Sequence, residues 1–405
     1  MILRRHVRHA LADARAAHAA GDFAAARRLV QPVVAAGGGP LAAVRGMAEL
    51  EYLLGDYAVA EALLDRIVTA TRKRSKTRLD AEAALALVYY RTNRYDKAHS
   101  LFAGYADDVE MPVWRLMTGF GSDPPYAIEW PAGEATAIVP FEQTAPWELP
   151  IVALDIDGVA LDAWIDTGGD ALTLPADLAA SLGVEPLGRF AGTYAGGEQA
   201  EGYYGKVASV TLGPVTLRNV PVATAGYDRP VIGTGFLSRF LATLDYPQGR
   251  LLLRPHGTAP DASAVELPFA LALTHLMVVR GSLAGQEGLT FLVDSGLRDE
   301  DGAAFTAPAA TLAAAGIPLP ATSPETGMSG AGDTTLELGR FAIPRLAVGP
   351  LEQHDLVGMY GAFPDELAGA ATGFPINGLV SHHFLRRYRW TIDFAGMTMT
   401  FEAPA

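Results

Sequence analysis

The chain carries one short plan twice. AWIDTGG, from Ala163 to Gly169, and FLVDSGL, from Phe291 to Leu297, each run an apolar stretch into an aspartate, a hydroxyl residue and a glycine. Asp166 and Asp294 stand 128 residues apart, and their surroundings repeat with them. A strand–turn–strand pattern precedes each: IVALDIDGVALDAWIDTG and LMVVRGSLAGQEGLTFLVDSG. Downstream, VIGTGFLSRFLATLDY from Val231 answers LVSHHFLRRYRWTIDF from Leu379, which sets Phe236 against Phe384 and Asp245 against Asp393, each 148 residues on. The second copy therefore holds about twenty more residues between its aspartate and this element, with RDED (298–301) and the loop GMYGAFPDELAGAATGF (358–374) as candidates for the surplus. Such a chain is constrained to fold as two like halves. Between them the pattern is short β-branched runs broken by Gly, Pro and Asn, an all-β signature from about residue 136 onward.

One Asp-Thr-Gly would read as an ordinary turn, because Asp and Gly are turn formers. Two copies, each ending a buried strand, read differently. A carboxylate is costly at an apolar strand end unless something there uses it. Two carboxylates brought within about 3 Å share one proton, because like charges so close cannot both ionise easily. Such a pair titrates as a unit and supplies a base and an acid together. Neither half alone brings two acids together, so each would offer one at a shared interface. Thr167 and Ser295 supply hydroxyls that can lock the two facing loops, and Gly168 and Gly296 permit tight turns against the carboxylates.

The duplicated D-[TS]-G plan resembles the two-lobed pepsin-like and retropepsin-like aspartic proteases, over roughly residues 146–403. The resemblance implies a mainly-β bilobal aspartic-protease fold with a pseudo-two-fold cleft, Asp166 and Asp294 as the catalytic dyad, and Thr167, Gly168, Ser295 and Gly296 as support of the active-site loops. It also implies a flap. In the first half GTYAGGEQAEG (192–202) is the candidate, with Tyr194, Gly196 and Gly197; TGMSGAGD (326–333) is the counterpart in the second. The brace of the first loop, Val231-Ile232-Gly233, fits the family's hydrophobic-hydrophobic-Gly element, whereas the second reads Leu379-Val380-Ser381. The family usually places Ser, Thr or Ala after the D-[TS]-G; here stand Gly169 and Leu297, followed by Arg298. An arginine so placed can pair with a local acid or reach Asp294 itself.

The first 122 residues have another character. They are rich in Ala, Leu and Arg, with apolar residues at helical spacing. GDFAAARRLV from Gly21, GDYAVAEALL from Gly55 and NRYDKAHSLF from Asn93 repeat a turn residue, an aromatic two positions later and an alanine-rich helix, at spacings of 34 and 38. This resembles tetratricopeptide repeats. The domain reading is a helical repeat domain over 1–122, a Pro- and Gly-rich linker over 123–145, protease lobe one over 146–258 and lobe two over 259–405: a multidomain α and β chain. The repeats imply a protein partner, as a docked substrate or adaptor.

Charge is uneven. Residues 1–122 hold 17 basic and 13 acidic side chains, and the remainder 14 and 32. An acidic β part argues against nucleic acid, and the basic run TRKRSKTR (71–78) reads as a solvated connection. No apolar run approaches the roughly 18 residues of a membrane span. The N-terminus lacks the apolar core of a secretory signal, so a cytoplasmic protein of a bacterium-like host is expected. Cysteine is absent. No metal-ligand spacing, nucleophile elbow or nucleotide fingerprint is present, so neither metal nor cofactor is expected.

The expected function is an aspartic endopeptidase acting on a peptide or protein substrate in the interlobe cleft. The alternatives are a catalytically inactive peptide-binding protein, which an Arg298 inserted between the carboxyls would favour, and a helical scaffold with a degenerate β domain. Without a hydroxyl donor after either D-[TS]-G, the charged dyad loses a stabilising hydrogen bond and its pKa rises. A pH–rate profile is therefore expected to peak at about pH 5–7; a peak near pH 2–3 would contradict this.

Overall fold

The computed structural model describes residues 2–36, 40–102, 111–133, 136–142, 148–258, 265–369 and 372–402. Parts of the segment expected to be a linker, 134–135 and 143–145, lie outside the described residues, as do 370–371 of the long second-half loop.

Six helices form three hairpins: α1 (Ile2–Ala19) with α2 (Phe23–Ala35), α3 (Leu41–Leu53) with α4 (Tyr57–Ala70), and α5 (Lys76–Arg91) with α6 (Tyr95–Phe102). A seventh, α7 (Pro112–Gly119), leads into the β part. The repeated sequence signal marks the turn inside each hairpin. Gly21, Gly55 and Asn93 all take left-handed φ values, of 69°, 82° and 57°, which is why Gly or Asn stands there. In the first two hairpins an aspartate follows and caps the next helix: Asp22 accepts from the Ala25 N–H at 2.9 Å and Asp56 from Val59 at 3.4 Å. The aromatic two places on is packed in each case: Phe23 against Phe374, Tyr57 against Tyr52, and the buried Tyr95 edge-on against Phe120, 5.1 Å between ring centroids.

The β part has an internal two-fold plan. In the first half Val159–Ile165 runs parallel to Val231–Ile232, which lies between it and Leu172–Pro175. In the second half Gln286–Val293 runs parallel to Gly378–Val380, which lies between it and Ala303–Thr306. Each set belongs to an eight-stranded sheet completed by a long hairpin: Gly188–Thr193 with Gln199–Leu212, and Ser323–Ser329 with Gly332–Val348. The surplus of the second half lies mainly in residues 361–377, between Leu351–Tyr360 and Gly378–Val380, as the sequence suggested.

A six-stranded antiparallel sheet joins the halves, in the order Val265–Pro268, Thr398–Glu402, Arg389–Asp393, Leu241–Asp245, Arg250–Arg254, Ala137–Pro140. Its central pair sets Thr243 directly opposite Thr391, and their hydroxyls hydrogen-bond at 2.6 Å across 148 residues of chain. That is the spacing of the sequence repeat, so the internal two-fold axis passes between these threonines.

The segment 123–145 is more than a linker. It contributes Ala127–Glu129, paired with Val215–Ala225, and Ala137–Pro140, which closes one edge of the six-stranded sheet. Its prolines and glycines argued for irregular chain, but on edge strands a missing N–H faces outward and is tolerated. Among the described residues no helix is long and apolar enough to cross a membrane.

Thr243 serves two partners, because Arg254 also donates to its hydroxyl at 2.8 Å. Thr391→Val should therefore lower stability in urea by about 1 kcal/mol, and Thr243→Val by roughly 2–3 kcal/mol, since it also strips a buried arginine of an acceptor. Equal losses would contradict this account of the axis.

Candidate active site

The strand Val159–Ile165 ends against the loop that starts at Asp166, and Gln286–Val293 against the loop that starts at Asp294. Each loop is tethered alike: the Asp166 N–H donates to Ile232 O at 3.1 Å and the Asp294 N–H to Val380 O at 3.0 Å. The loops then lock each other. The Thr167 N–H donates to Ser295 Oγ at 3.0 Å, and the Ser295 N–H to Thr167 Oγ1 at 2.9 Å. Thr167 Oγ1 in turn donates to Val293 O at 3.3 Å. Both residues are fully buried, so each half satisfies a backbone amide of the other that would otherwise have no partner.

This grip brings the two carboxyls face to face. The Gly168 N–H donates to Asp166 Oδ1 and the Gly296 N–H to Asp294 Oδ1, both at 2.7 Å. Each glycine also lies under the opposite acid. A Cβ at Gly168 would stand 2.5 Å from the Asp294 carboxyl carbon, and one at Gly296 would stand 2.0 Å from that of Asp166. The two carboxyls share a hydrogen bond. Burial pushes Asp166 up from the usual carboxylate range, against the hydrogen bond from Asp294, the amides of Gly168 and Gly169, and nearby His275. Burial pushes Asp294 up much further, reinforced by the charge of Asp166. Both carboxyls are thus raised, and their closeness opposes joint ionisation. The donors to the pair are backbone amides, including those of Gly169 and Leu297.

Arg298 is turned away from the pair. It forms an ion pair with Glu148 at 3.3 Å and lies 5.5 Å over the ring of Trp164. Ser381, in the place of the expected glycine, donates to Ala303 O and accepts from the His383 N–H at 3.2 Å, capping the turn His382–Leu385. Packing there is kept by hydrogen bonds instead of by a bare backbone.

A cavity of about 530 Å³ covers the carboxyls. Its roof comes from both long hairpins. The tip of the first, Tyr194 to Glu198, reaches across to the other half, where the Gly196 N–H donates to Ala362 O at 2.8 Å and Gly197 lies beside Glu366. Tyr194 packs on Gly330 of the second hairpin, so closely that a Cβ at Gly330 would stand 1.9 Å from its ring. The Gly226 N–H donates to Gly330 O at 2.8 Å. The Tyr194 hydroxyl sits over Gly192 of its own hairpin. The tyrosine whose ionisation both carboxylates oppose is Tyr227, pushed up first by burial and then by Asp166, Tyr194 and Asp294.

One wall escaped the sequence reasoning. Thr274 donates to Asp170 Oδ2 at 2.9 Å and lies 2.9 Å from His275 Nδ1; Tyr90 of α5 also donates to Asp170 Oδ2, at 3.2 Å. Burial lowers the His275 pKa, against Asp170 and Asp166, which favours the neutral imidazole beside the pair. Asp170 follows the first D-T-G-G and was a visible signal; Thr274, His275 and Tyr227 sit in loops with no motif. The helices hold this wall directly. Arg91 donates to Thr274 O at 3.1 Å, Tyr52 donates to Leu273 O, and Phe23 packs on Phe374 at 4.7 Å.

Residues 152–239 match the family described as gag-polyprotein putative aspartyl protease. The match includes Asp166 and the first hairpin, and ends before Asp294. The match covers less than a quarter of the chain and stands as a similarity over those residues. No curated protein matches the chain significantly. Among solved structures, a retropepsin-like aspartic protease from Rickettsia conorii matches at 16% identity over 32% of this chain and 94% of that one, with a TM-score of 0.24.

The raised carboxyl has a consequence for stability. With a folded-state pKa above its unfolded value, Asp294 contributes stability fully below about pH 4 and loses it as pH rises through the raised value. Asp294→Asn stays neutral throughout. Its Tm is expected to gain on that of the wild type as pH goes from 4 to 8; a difference that does not change with pH would contradict the shared proton.

Proposed function

We propose that this chain is a single-chain aspartic endopeptidase of two-lobed, pepsin-like build, containing a retropepsin-like aspartyl protease domain, with Asp166 and Asp294 as its catalytic dyad. The observation that carries the reading is the reciprocal grip of Thr167 and Ser295, which holds one carboxyl from each half against the other and leaves one proton between them. Since one chain supplies both acids, no second copy is needed to build the site.

Burial and mutual repulsion leave one proton to the pair, and the cycle starts with Asp294 holding it. Asp166 is the ionised member and takes a proton from water as the water oxygen attacks the peptide carbonyl carbon. Asp294 gives its proton to the carbonyl oxygen, and a neutral tetrahedral diol forms. Asp166 then passes its proton to the leaving nitrogen, the C–N bond breaks, and Asp294 regains a proton from the diol. Protons balance over the cycle, and each carboxyl serves as acid and as base once. Tyr227 and the neutral His275 flank the pair and keep its surroundings dry, which strengthens each charge interaction. Leu149, Trp164, Phe190, Leu276 and Met328 line the cavity, so apolar side chains beside the scissile bond are the preferred substrates. A polypeptide reaches the dyad only if the two hairpins part, which breaks the bonds from Gly196 to Ala362 and from Gly226 to Gly330.

The helices, in this proposal tetratricopeptide-like, are built into the enzyme. Their hairpin turns face the β part, and a protein partner would use the surface that remains. The rival reading is an inactive binding protein, which an Arg298 inserted between the carboxyls would favour; Arg298 instead pairs with Glu148 and lies over Trp164, which supports the catalytic reading.

The test compares wild type with Asp166→Asn on a mixed peptide library by mass spectrometry, from pH 4 to 7. New termini are expected with wild type and a loss of at least 1000-fold in rate with the variant, about 4 kcal/mol of barrier. Equal patterns from both proteins, or none from either with the variant folded, would overturn the proposal.

A further inference from the structure

The seam between the helical hairpins and the β part contains a second cavity, of about 250 Å³. Two arginines line it, Arg91 at the end of α5 and Arg239 in the turn after Thr234–Leu237, and no lining residue is an acid. Both are held by neutral groups. Arg91 donates to Thr274 O at 3.1 Å and lies 5.7 Å from the ring centroid of Phe394. Arg239 donates through Nε to Gly235 O at 2.9 Å and through Nη2 to Ser238 Oγ at 2.8 Å, and it lies 4.8 Å over the ring of Tyr126. The carboxylate that acts on Arg91 is Asp170, which is already engaged by Tyr90 and Thr274.

Donors are left over. Arg91 is 7% exposed and Tyr126 6%, and Tyr57 lies against Arg91, yet among the described residues Arg91 Nε and the Tyr126 hydroxyl have no hydrogen-bond partner. His256 stands at the rim, its Nε2 3.1 Å from Ser238 O. The two guanidiniums also act on each other: burial depresses the Arg239 pKa and Arg91 depresses it further. A buried cation short of counter-charge is costly, and a second one beside it adds to the cost. An anion between them removes both penalties. Guanidinium forks match tetrahedral and planar oxyanions, but charge discriminates. Two arginines balance a dianion, whereas a monocarboxylate leaves one of them uncompensated.

We propose that this seam cavity binds a phosphate-type dianion, either free phosphate or the phosphoryl group of a small monoester, between Arg91 and Arg239 with Tyr126 as a further donor. The site lies apart from the carboxyl pair, and the proposal does not depend on peptide hydrolysis. Because Arg91 also holds the Thr274 carbonyl, occupancy fixes the position of a residue on the wall of the main cavity.

Calorimetric titration of the full chain at pH 7.5 tests this with inorganic phosphate, glycerol phosphate and acetate, at ionic strength held constant with chloride. Saturable binding of phosphate or the ester is expected, at least tenfold tighter than acetate. Tighter binding of the ester identifies a metabolite as the source, and equal or tighter binding of phosphate the free ion. Arg239→Gln should weaken binding at least tenfold, Arg239→Lys less, and Tyr126→Phe a few-fold. The tyrosine variant keeps the test open if loss of the arginine prevents folding. No binding beyond that of acetate, or equal affinity in Arg239→Gln and Tyr126→Phe, would overturn the proposal.

Discussion

Two buried amide-to-hydroxyl hydrogen bonds, Thr167 to Ser295 and back, are the constraint on which the rest of the β part depends. Each half presents an N–H that it cannot satisfy alone, because the residue is fully buried and its own strand has ended. The acceptor it finds is the hydroxyl of the other half. Once both bonds form, the loops are fixed to within a hydrogen-bond length, and the carboxyls one residue earlier have no freedom to separate. Gly168 and Gly296 are required by the same approach, since a side chain on either would occupy the space of the opposite acid. The rise of both carboxyl pKa values therefore follows from the grip, because the grip is what buries the acids together.

The helical hairpins extend that constraint outward. Their turns and end residues meet the wall at Leu273 to His275, and Phe23 meets Phe374 within the long second-half loop. The same loop supplies Ala362 and Glu366, which receive the tip of the first hairpin. One continuous path of contact thus runs from the helices through the loop to the roof. The wall has a similar path, from Tyr90 and Arg91 to Asp170 and Thr274. Both the roof and one wall of the main cavity are shaped by residues from the first quarter of the chain.

Much of this plan was legible because its signals are local and doubled. Apolar strand, aspartate, hydroxyl, glycine is a pattern within seven residues, and its second copy at 128 residues gave the two-fold plan before any coordinate. The helical turns were legible for the same reason: Gly21, Gly55 and Asn93 stand where the backbone is left-handed. What could not be read is set by pairing across long distances. Ala127–Glu129 and Ala137–Pro140 are strands only because Val215–Ala225 and Arg250–Arg254 offer open edges, so a Pro- and Gly-rich segment looked like a linker. Thr274 and His275 border the carboxyl pair through the course of the chain, with no motif of their own. The direction of Arg298 was undecidable, since Glu148 and Trp164, which turn it aside, lie more than a hundred residues away.

The six-stranded sheet bears on how the chain is made. Its central partner for Leu241–Asp245 is Arg389–Asp393, and the strand beyond that is Thr398–Glu402, at the end of the described chain. During synthesis the helices and the first half can fold as they emerge, but the sheet joining the halves stays open until Arg389–Asp393 has been made. The two halves are thus clamped together at that sheet well after the residues of the carboxyl pair have been added, and the delay is set by strand order alone.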